Sequence, residues 1–565
     1  MDQPDRFELA TELLGPLPVI NAFCARLGLA ALLESYLPRE DARLRLAPAT
    51  AVGVVVRNLV IGREPVYALG EWAAPFDPAL LGLADDKAGL RNDDRVGRTL
   101  ARLFDADRAS MLTRLVLDAV RVFGVDCSRL HNDSTSIKLT GAYPDADGRP
   151  RGGKRTAKVT WGHSKDHRPD LKQLVWILTV TADGAVPITY RVADGNTVDD
   201  GTHIETWDHL VALLGRGDFL YVADCKLATR DNMDHIHRNR GRFLSVLPAS
   251  RKEDAAFRDW VIDHEPAWTE AARRPGRRRG DPDEVWHTVE APWPSAEGHR
   301  VVWVRSSAKI DYDAEARQDR IARGIAALDQ LNQRLASPKT RMRTTVAVEQ
   351  AATAAIDQAD AARWIRVSVD ERVEERFRQE KRGRPGADTR YRRSTRAHHR
   401  VAYAVDEEQV AHDAASDDCF PLISNDRDLT DAETARRLQI PAQPGETPRP
   451  AEGHPAGRAD VPARPRPHRR AAVLPLHRHA RPGADRTPDP RGHETRGMKQ
   501  LSIYPEDRGC AAPTAARILE IFTGLARHHL TDRHGNHVQT FHPHVTELQA
   551  LVLDLLDIPH SVYTT

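Results

Sequence analysis

SRLHNDSTSIKLTG (128–141) reads as a β-strand, and the order of the elements after it decides the fold. QLVWILTV (173–180) and AVPITYRVA (185–193) are two further β-rich runs, joined at Asp183-Gly184, a strong hairpin signal. VDDGTHIETWDHLVALLG (198–215) has helical spacing. DFLYVADC (218–225) is then a short strand of the fully buried type, and FLSVLP (243–248) is another. Strand, hairpin, helix, strand, helix, strand is an α/β order. Asp133 lies in the first strand and Asp224 at the end of a later one.

Upstream, residues 1–125 read as helical. VINAFCARLGLAALLESYL (19–37), ATAVGVVVRNLVIG (49–62) and DDRVGRTLARLF (93–104) repeat apolar residues at i, i+3, i+4 and i+7. Two readings of this segment stay open, a bundle that only packs and a small DNA-binding unit. From the segment alone packing is the stronger. Downstream, residues 250–415 interrupt the α/β order with β-like runs at 284–291, 300–306, 362–369 and 399–405 around one amphipathic helix, 314–335. FPLISND (420–426), within 416–434, reads as one more core strand. Residues 435–497 are dense in Pro and Arg, with 12 of the chain's 37 prolines between Pro441 and Pro490, so no helix survives there as written. Residues 498–565 read as a C-terminal helical region, with APTAARILEIFTGLARHHL (512–530) its clearest helix.

The chain has 565 residues, more than one hydrophobic core accommodates. Its 82 Lys+Arg against 81 Asp+Glu exclude a globally basic coat, so a nucleic-acid surface has to be local. Five cysteines without a CxxC pair argue against a zinc ribbon and against a disulfide scaffold. No apolar run reaches the roughly 18 residues of a membrane span, and MDQPDRFELA lacks the character of a signal peptide. The expectation is a soluble cytoplasmic protein with no membrane partner.

Two aspartates among 81 acidic residues are a weak signal by themselves. The words around them are stronger. HNDSTSIKLTGAY (131–143), GHSKDHRPDLKQLV (162–175), VPITYRVADGNTVDDGTH (186–203), YVADCKLATRDN (221–232), FPLISNDRDLT (420–430) and LSIYPEDRGCAAPTAARILEIF (501–522) closely resemble DDE transposases of bacterial insertion sequences. The resemblance is to the subgroup whose RNase H-like core carries a large β-rich insertion. It implies an α/β fold made of an RNase H-like core (126–249 and 416–434), a helical DNA-end-binding domain (1–125) and the insertion (250–415). It implies that Asp133 and Asp224 are the first two catalytic carboxylates and ligands of Mg²⁺ or Mn²⁺. Metal ions so held activate an attacking oxygen and stabilise the leaving one at a phosphodiester. The implied activity is DNA cleavage and strand transfer, with the element's terminal inverted repeats, target DNA and a second protomer as partners.

The family pattern breaks at the third carboxylate, a Glu on a helix after the insertion. Past FPLISNDRDLTDAE stands the Pro/Arg run. Glu446 is near the expected place, but Pro448 and Pro450 come after it, so no helix presents it. Back-translation of residues 438–456 into the next frame permits a segment with the family's Tyr, Glu and Lys at their spacing, Gln replacing its Arg. A frameshift near residues 432–434, compensated before Met498, is the preferred reading. A genuine linker with the Glu supplied elsewhere is the other. The preferred reading implies a transposase by descent, catalytically impaired as translated. The rivals are a non-catalytic DNA-binding remnant that occupies element ends, and an RNase H-like nuclease drawing a third acid from near Asp426.

RFRQEKRGRPGADTRYRRSTRAHHR (376–400) holds ten Lys/Arg against two acids. Lys381, Arg382, Arg384, Arg392 and Arg393 are its expected DNA contacts, through phosphates. A solvated linker is the plainer reading, and RRPGRRRG (273–280) is a weaker candidate of the same kind. His163 and His167 have a metal-like spacing, but Pro169 argues against a helix, so structural or DNA-proximal roles rank above zinc. Lys165, Arg168 and Lys172 are within reach of the same phosphates. Asp126, Asp231 and Asp426 read as capping or surface carboxylates.

Overall fold

The computed structural model describes residues 7–38, 46–83, 93–163, 168–264, 266–274, 282–307, 309–337, 339–438, 500–504, 509–510 and 513–564. Of the expected Pro/Arg segment, residues 435–438 are described and form the end of a helix where none was expected, because the segment has no proline before Pro441. Residues 439–497, Glu446 among them, lie outside, as do Lys165 and His167. The chain divides into two compact units, residues 1–223, 238–242 and 439–565 in the first, and 224–237 with 243–438 in the second.

The first unit opens with a strand, β1 (Glu8–Leu13), where the sequence suggests helix. Helices α1 (Leu17–Arg26), α2 (Leu29–Tyr36), α3 (Pro48–Ile61), α4 (Leu69–Ala73), α5 (Asp93–Asp105) and α6 (Arg108–Phe123) come after it. The apolar run at 19–37 is divided between α1 and α2 because Gly28 sits at φ +62°, a left-handed turn that a side chain resists. Leu32, Leu33, Val52 and Met111 join α2, α3 and α6 in one small core. Leu17, Val54, Leu69 and Leu81 form another.

The strands expected from the sequence come next. They are β2 (Arg129–Leu139), β3 (Lys172–Thr181) and β4 (Pro187–Ala193), then α7 (His203–Leu214) and β5 (Leu220–Ala223). β2–β3 and β3–β4 are antiparallel, β2–β5 is parallel, and the order is β4-β3-β2-β5. The alternation along β3 is strict, with Gln173, Val175, Ile177, Thr179 and Thr181 on the buried face. Its polar members are satisfied. Gln173 Nε2 donates to Gly195 O (2.8 Å), and the Thr179 hydroxyl donates to Asn132 Oδ1 (2.9 Å). The four residues of β5 are all buried, as a parallel strand covered on both faces requires.

The second unit contains α8 (Arg230–Arg238), β6 (Arg242–Val246), α9 (Lys252–His264), β7 (Thr269–Arg274), β8 (Glu284–Glu290) and β9 (Arg300–Ser306). It continues with α10 (Ile310–Ala336), α11 (Thr345–Gln358), β10 (Ile365–Gln379), β11 (Tyr391–Val405), α12 (Glu407–Ala414), β12 (Cys419–Ser424) and α13 (Asp431–Leu438). The order β6-β12-β9-β8-β7 is antiparallel throughout. Phe257 stacks on Trp303 with centroids 4.0 Å apart at the centre of its core. α10 and α11 pack on one face of the β10–β11 hairpin through Leu328, Leu331, Val348, Ile356, Ile365 and Val401. The stretch read as β-rich is therefore mixed, its sheet strands and hairpin accompanied, among the described residues, by four helices.

The C-terminal segment is not simply helical. It holds short strands β13 (Leu501–Ser502) and β14 (Gly509–Cys510), helix α14 (Ala515–Glu520), strands β15 (Ala526–Thr531) and β16 (His537–Phe541), and helix α15 (Glu547–Leu555). β15 pairs antiparallel with β1, from Glu8↔Thr531 to Leu13↔Ala526. Leu14 and Val19 share a core with Ile518, Phe522, Val552, Leu553 and Tyr563. The Tyr563 hydroxyl donates to Gly15 O (2.8 Å), and burial pushes its pKa up. Residues 1–125 thus hold two cores of their own and share a third with the C-terminal segment. Among the described residues no single helix is long and apolar enough to cross a membrane.

Candidate active site

β2 and β5 run parallel, and their register ends at Asn132↔Ala223. In each strand the next residue is an aspartate, Asp133 and Asp224. Asp133 lies within β2, and Asp224 follows directly on the carboxyl end of β5. In open α/β sheets that end is where ligands bind. Both residues are exposed, in contrast with the buried His131, Asn132, Val222 and Ala223 before them.

Local hydrogen bonds orient both carboxylates. Asp133 Oδ1 accepts the Ser134 N–H (2.8 Å), and Asp224 Oδ1 accepts the Lys226 N–H (3.0 Å). Asp224 O accepts the N–H of Leu227 (3.1 Å) and the hydroxyl of Ser245 (2.7 Å), so a turn and a neighbouring strand fix its backbone.

Buried neutral groups stand behind this edge. His131 shares the Asp133 face of β2, is 3% exposed, and has its pKa pushed down to about 4 by burial and, secondarily, by Arg129. Its Nε2 has no hydrogen-bond partner among the described residues. His203, first residue of α7, shares a hydrogen bond between Nδ1 and Tyr221 Oη (3.1 Å) and is also brought to about 4 by burial. Both rings are therefore neutral at pH 7.

The two side chains offer only carboxylate oxygens as donors. Mg²⁺ takes hard oxygen ligands and is held by one or two carboxylates together with substrate phosphate and water. Among the described residues no group of three or more His, Cys, Asp or Glu side chains is gathered for a metal.

The spare carboxylates have local duties. Asp126 accepts the Ser128 N–H (2.8 Å) and hydroxyl (2.9 Å). Asp231 lies in the first turn of α8, where its charge suits the helix dipole. Asp426 is 4% exposed and accepts the Asp428 N–H (3.1 Å), which ties it into a turn. Arg168 forms a two-pronged pair with Asp170 (2.7 and 2.8 Å). Lys172 donates to Ala142 O and sits 5.0 Å from the Trp161 ring centroid. His163 receives a contact at its backbone, Gln173 Nε2 donating to its carbonyl (3.2 Å).

Of the expected DNA contacts, Lys381, Arg382 and Arg384 lie on the exposed loop between β10 and β11, and Arg392 and Arg393 are exposed on β11. Arg393 is ion-paired with Glu375 across the hairpin. The basic run is therefore a loop and much of a strand rather than a linker. Sequence reasoning missed the close approach of Gly162 to Gly195, which seats the 158–163 segment beside β3. Its only signal was a glycine in each of the motifs GHSKDH and VADGNT.

Residues 9–117 match the model of a domain of unknown function, DUF4277. No curated protein matches the chain. Six chains of solved structures do. One belongs to a cryo-EM structure of the piggyBac transposase synaptic complex with hairpin DNA, at 10% identity and a TM-score of 0.28, covering 52% of this chain. The match spans 60% of that transposase chain, less than two thirds of its length.

Proposed function

We propose that this chain is a DDE transposase of an insertion sequence, built on an RNase H-like core and catalytically impaired as translated. The observation that carries the reading is the parallel β2–β5 register, which leads on both strands directly into an aspartate. An antiparallel meander, a helix and a strand returning parallel to the first agree with an RNase H-like core. The sequence motifs surrounding these aspartates supply the rest of the support.

In this reading Asp133 and Asp224 hold the metal ions, which when bound neutralise phosphate charge and favour ionisation of the attacking oxygen. The chain's own work is to fix the two carboxylates through Ser134, Lys226 and Ser245, and to keep the strand ends rigid through the neutral histidines behind them. The bond cleaved is a phosphodiester at the element end. Water adds to phosphorus and the 3′-oxygen leaves as a 3′-OH, which then attacks a target phosphodiester, whose own 3′-oxygen leaves in turn.

The test uses duplexes carrying the two termini of the DNA segment that contains the gene. Terminal inverted repeats flanked by short target duplications are expected there. The encoded chain binds these ends without cutting them. A version whose frame is corrected to restore the helical Glu nicks them with Mg²⁺, and Asp133→Asn or Asp224→Asn lowers that rate by about a hundredfold or more. No cleavage by the corrected version overturns the proposal. The second reading is a DNA-binding remnant that occupies element ends. The prolines after Glu446 favour it, because they deny the encoded chain a helical third carboxylate.

A further inference from the structure

The β10–β11 hairpin has two unlike faces. Its fifteen register pairs run from Ile365↔Val405 to Gln379↔Tyr391, and directly opposed residues share a face. One face carries Ile365, Val367, Val369, Val401 and Tyr403 against α10 and α11. Asn332 of α10 clasps it, exchanging hydrogen bonds with the Val401 N–H (2.8 Å) and carbonyl (2.9 Å). Towards the tip this face shows Val373, Phe377 and Tyr391, with Arg393 paired to Glu375.

The other face of the outer half is different. Arg372, Arg376, Arg378, Arg392, Arg396 and Arg400 lie on it, and all six are exposed. Glu374 and Asp370 share it; Glu374 pairs with Arg376 (3.0 Å) and His398 (3.1 Å), and Asp370 stands opposite Arg400 in the register. Among the described residues, Arg372, Arg378, Arg392 and Arg400 have no carboxylate partner. Successive same-face positions on a strand are about 6.8 Å apart, so the six guanidinium groups form a double row roughly 27 Å long.

We propose that this arginine face docks on duplex DNA, the ribbon lying along a groove with the guanidinium groups on phosphates. Two-stranded ribbons fit the roughly 12 Å major groove of B-DNA. All six cations are arginines, whose planar fork suits phosphate oxygens. The inference deepens the function proposed above and rests on it for the class of partner. It also divides the expected DNA contacts, since Arg392 belongs to the docking face and Arg393 to the opposite one.

The experiment measures binding of the full chain to a fluorescent mixed-sequence duplex of roughly 30 base pairs by anisotropy, in EDTA, over about 50–300 mM KCl. Arg372→Ala, Arg378→Ala, Arg392→Ala and Arg400→Ala combined lower the slope of log K against log salt by about 3 to 4, since each phosphate contact contributes about 0.9. Glu375→Ala with Arg393→Ala, on the other face, leaves the slope unchanged. If the fourfold variant unfolds by circular dichroism, Arg378→Ala and Arg392→Ala are read singly, each lowering the slope by about 0.9. An unchanged slope overturns the inference, as does an equal loss from the Glu375/Arg393 variant. Lost binding to polyglutamate with intact duplex binding also overturns it, in favour of an acidic protein partner. Because EDTA removes cleavage from the readout, failure here is distinct from failure of the transposase reading, which the corrected chain's nicking decides.

Discussion

Gly195→Ala tests whether the segment before β3 is seated as described. A Cβ on Gly195 would stand 2.1 Å from Gln173 O and 2.5 Å from Thr160 O. Ordinary carbon–oxygen contact needs about 1 Å more, and both obstacles are backbone atoms that no rotamer change can move. Gly162 faces the same contact from the other side, its Cβ falling 2.0 Å from Gly195 O. To accept the methyl group, the chain must pull Gly195 away from β3. That strains the bond from Gln173 Nε2 to Gly195 O, the one from Gly195 N to Lys158 O (3.0 Å) and the pairing of Thr160 with Gln173. Overpacking costs about 1–3 kcal/mol, and a buried amide left unsatisfied about 1–3 more. The expected loss is about 3–5 kcal/mol, a large share of a typical 5–15. Urea denaturation monitored by tryptophan fluorescence measures it, and hydrogen exchange should show the amides of Thr160, Gln173 and Gly195 losing protection first. Because both glycines serve one contact, Gly162→Ala added to Gly195→Ala should cost far less than the sum of the two. A loss below about 1 kcal/mol with unchanged protection would refute the close approach.

Stability should rise with pH between about 4 and 6.5 through His131 and His203. Both have folded pKa values near 4, below the unfolded 6.5, so the unfolded chain binds more protons in that window. Each contributes on the order of 3 kcal/mol at pH 7 that is lost as pH falls towards 4, and His131→Gln should flatten the urea-midpoint profile there. The carboxylates of Glu253 and Asp413, held near 2 in the folded chain, lose their contribution only below about pH 4.5, so the two effects separate. Asp417→Ala should cost about 3–5 kcal/mol in thermal unfolding, since it strands the largely buried Arg317 that it binds through two 2.7 Å hydrogen bonds. Arg317→Met together with Asp417→Leu should cost much less, and equal losses would argue against an uncompensated charge as the cause.

The strands around Asp133 and Asp224 were legible because burial imposed a period on them. β3 alternates without a break, β5 is apolar throughout, and Asp183-Gly184 marks the turn between β3 and β4. Strands lacking such a burden were not legible. β1, ELATEL, has its first four residues exposed, and its partner β15 lies more than 500 residues away, so no local pattern announces either. The outer half of β10, with Glu374, Glu375, Arg376 and Arg378, has residues common in helices and no buried face to set a period of two. α11 was missed although Val348, Ala352 and Ile356 stand four apart, because alanine dilutes its apolar stripe. The aspartate pair was expected from the surrounding words alone, and the parallel register leads into each of the two residues. The opposite orientation of Arg392 and Arg393 needed the hairpin register, since adjacent residues of one run look alike until a strand separates them.

The pairing of β1 with β15 has a consequence in time. At roughly 5–20 residues per second, a ribosome takes about 25–100 s to travel from one strand to the other. Throughout that interval Leu14, Val19 and the open edge of β1 wait without Phe522, Leu553 and Tyr563, and are open to chaperones and proteases. Pairing of β1 thus waits until translation has passed residue 530. A product stopped early, or released after residue 117, would carry nearly every helix of the amino-terminal segment and still lack its last strand. The last core to close around the amino-terminal residues is therefore the one that needs the final stretch of chain.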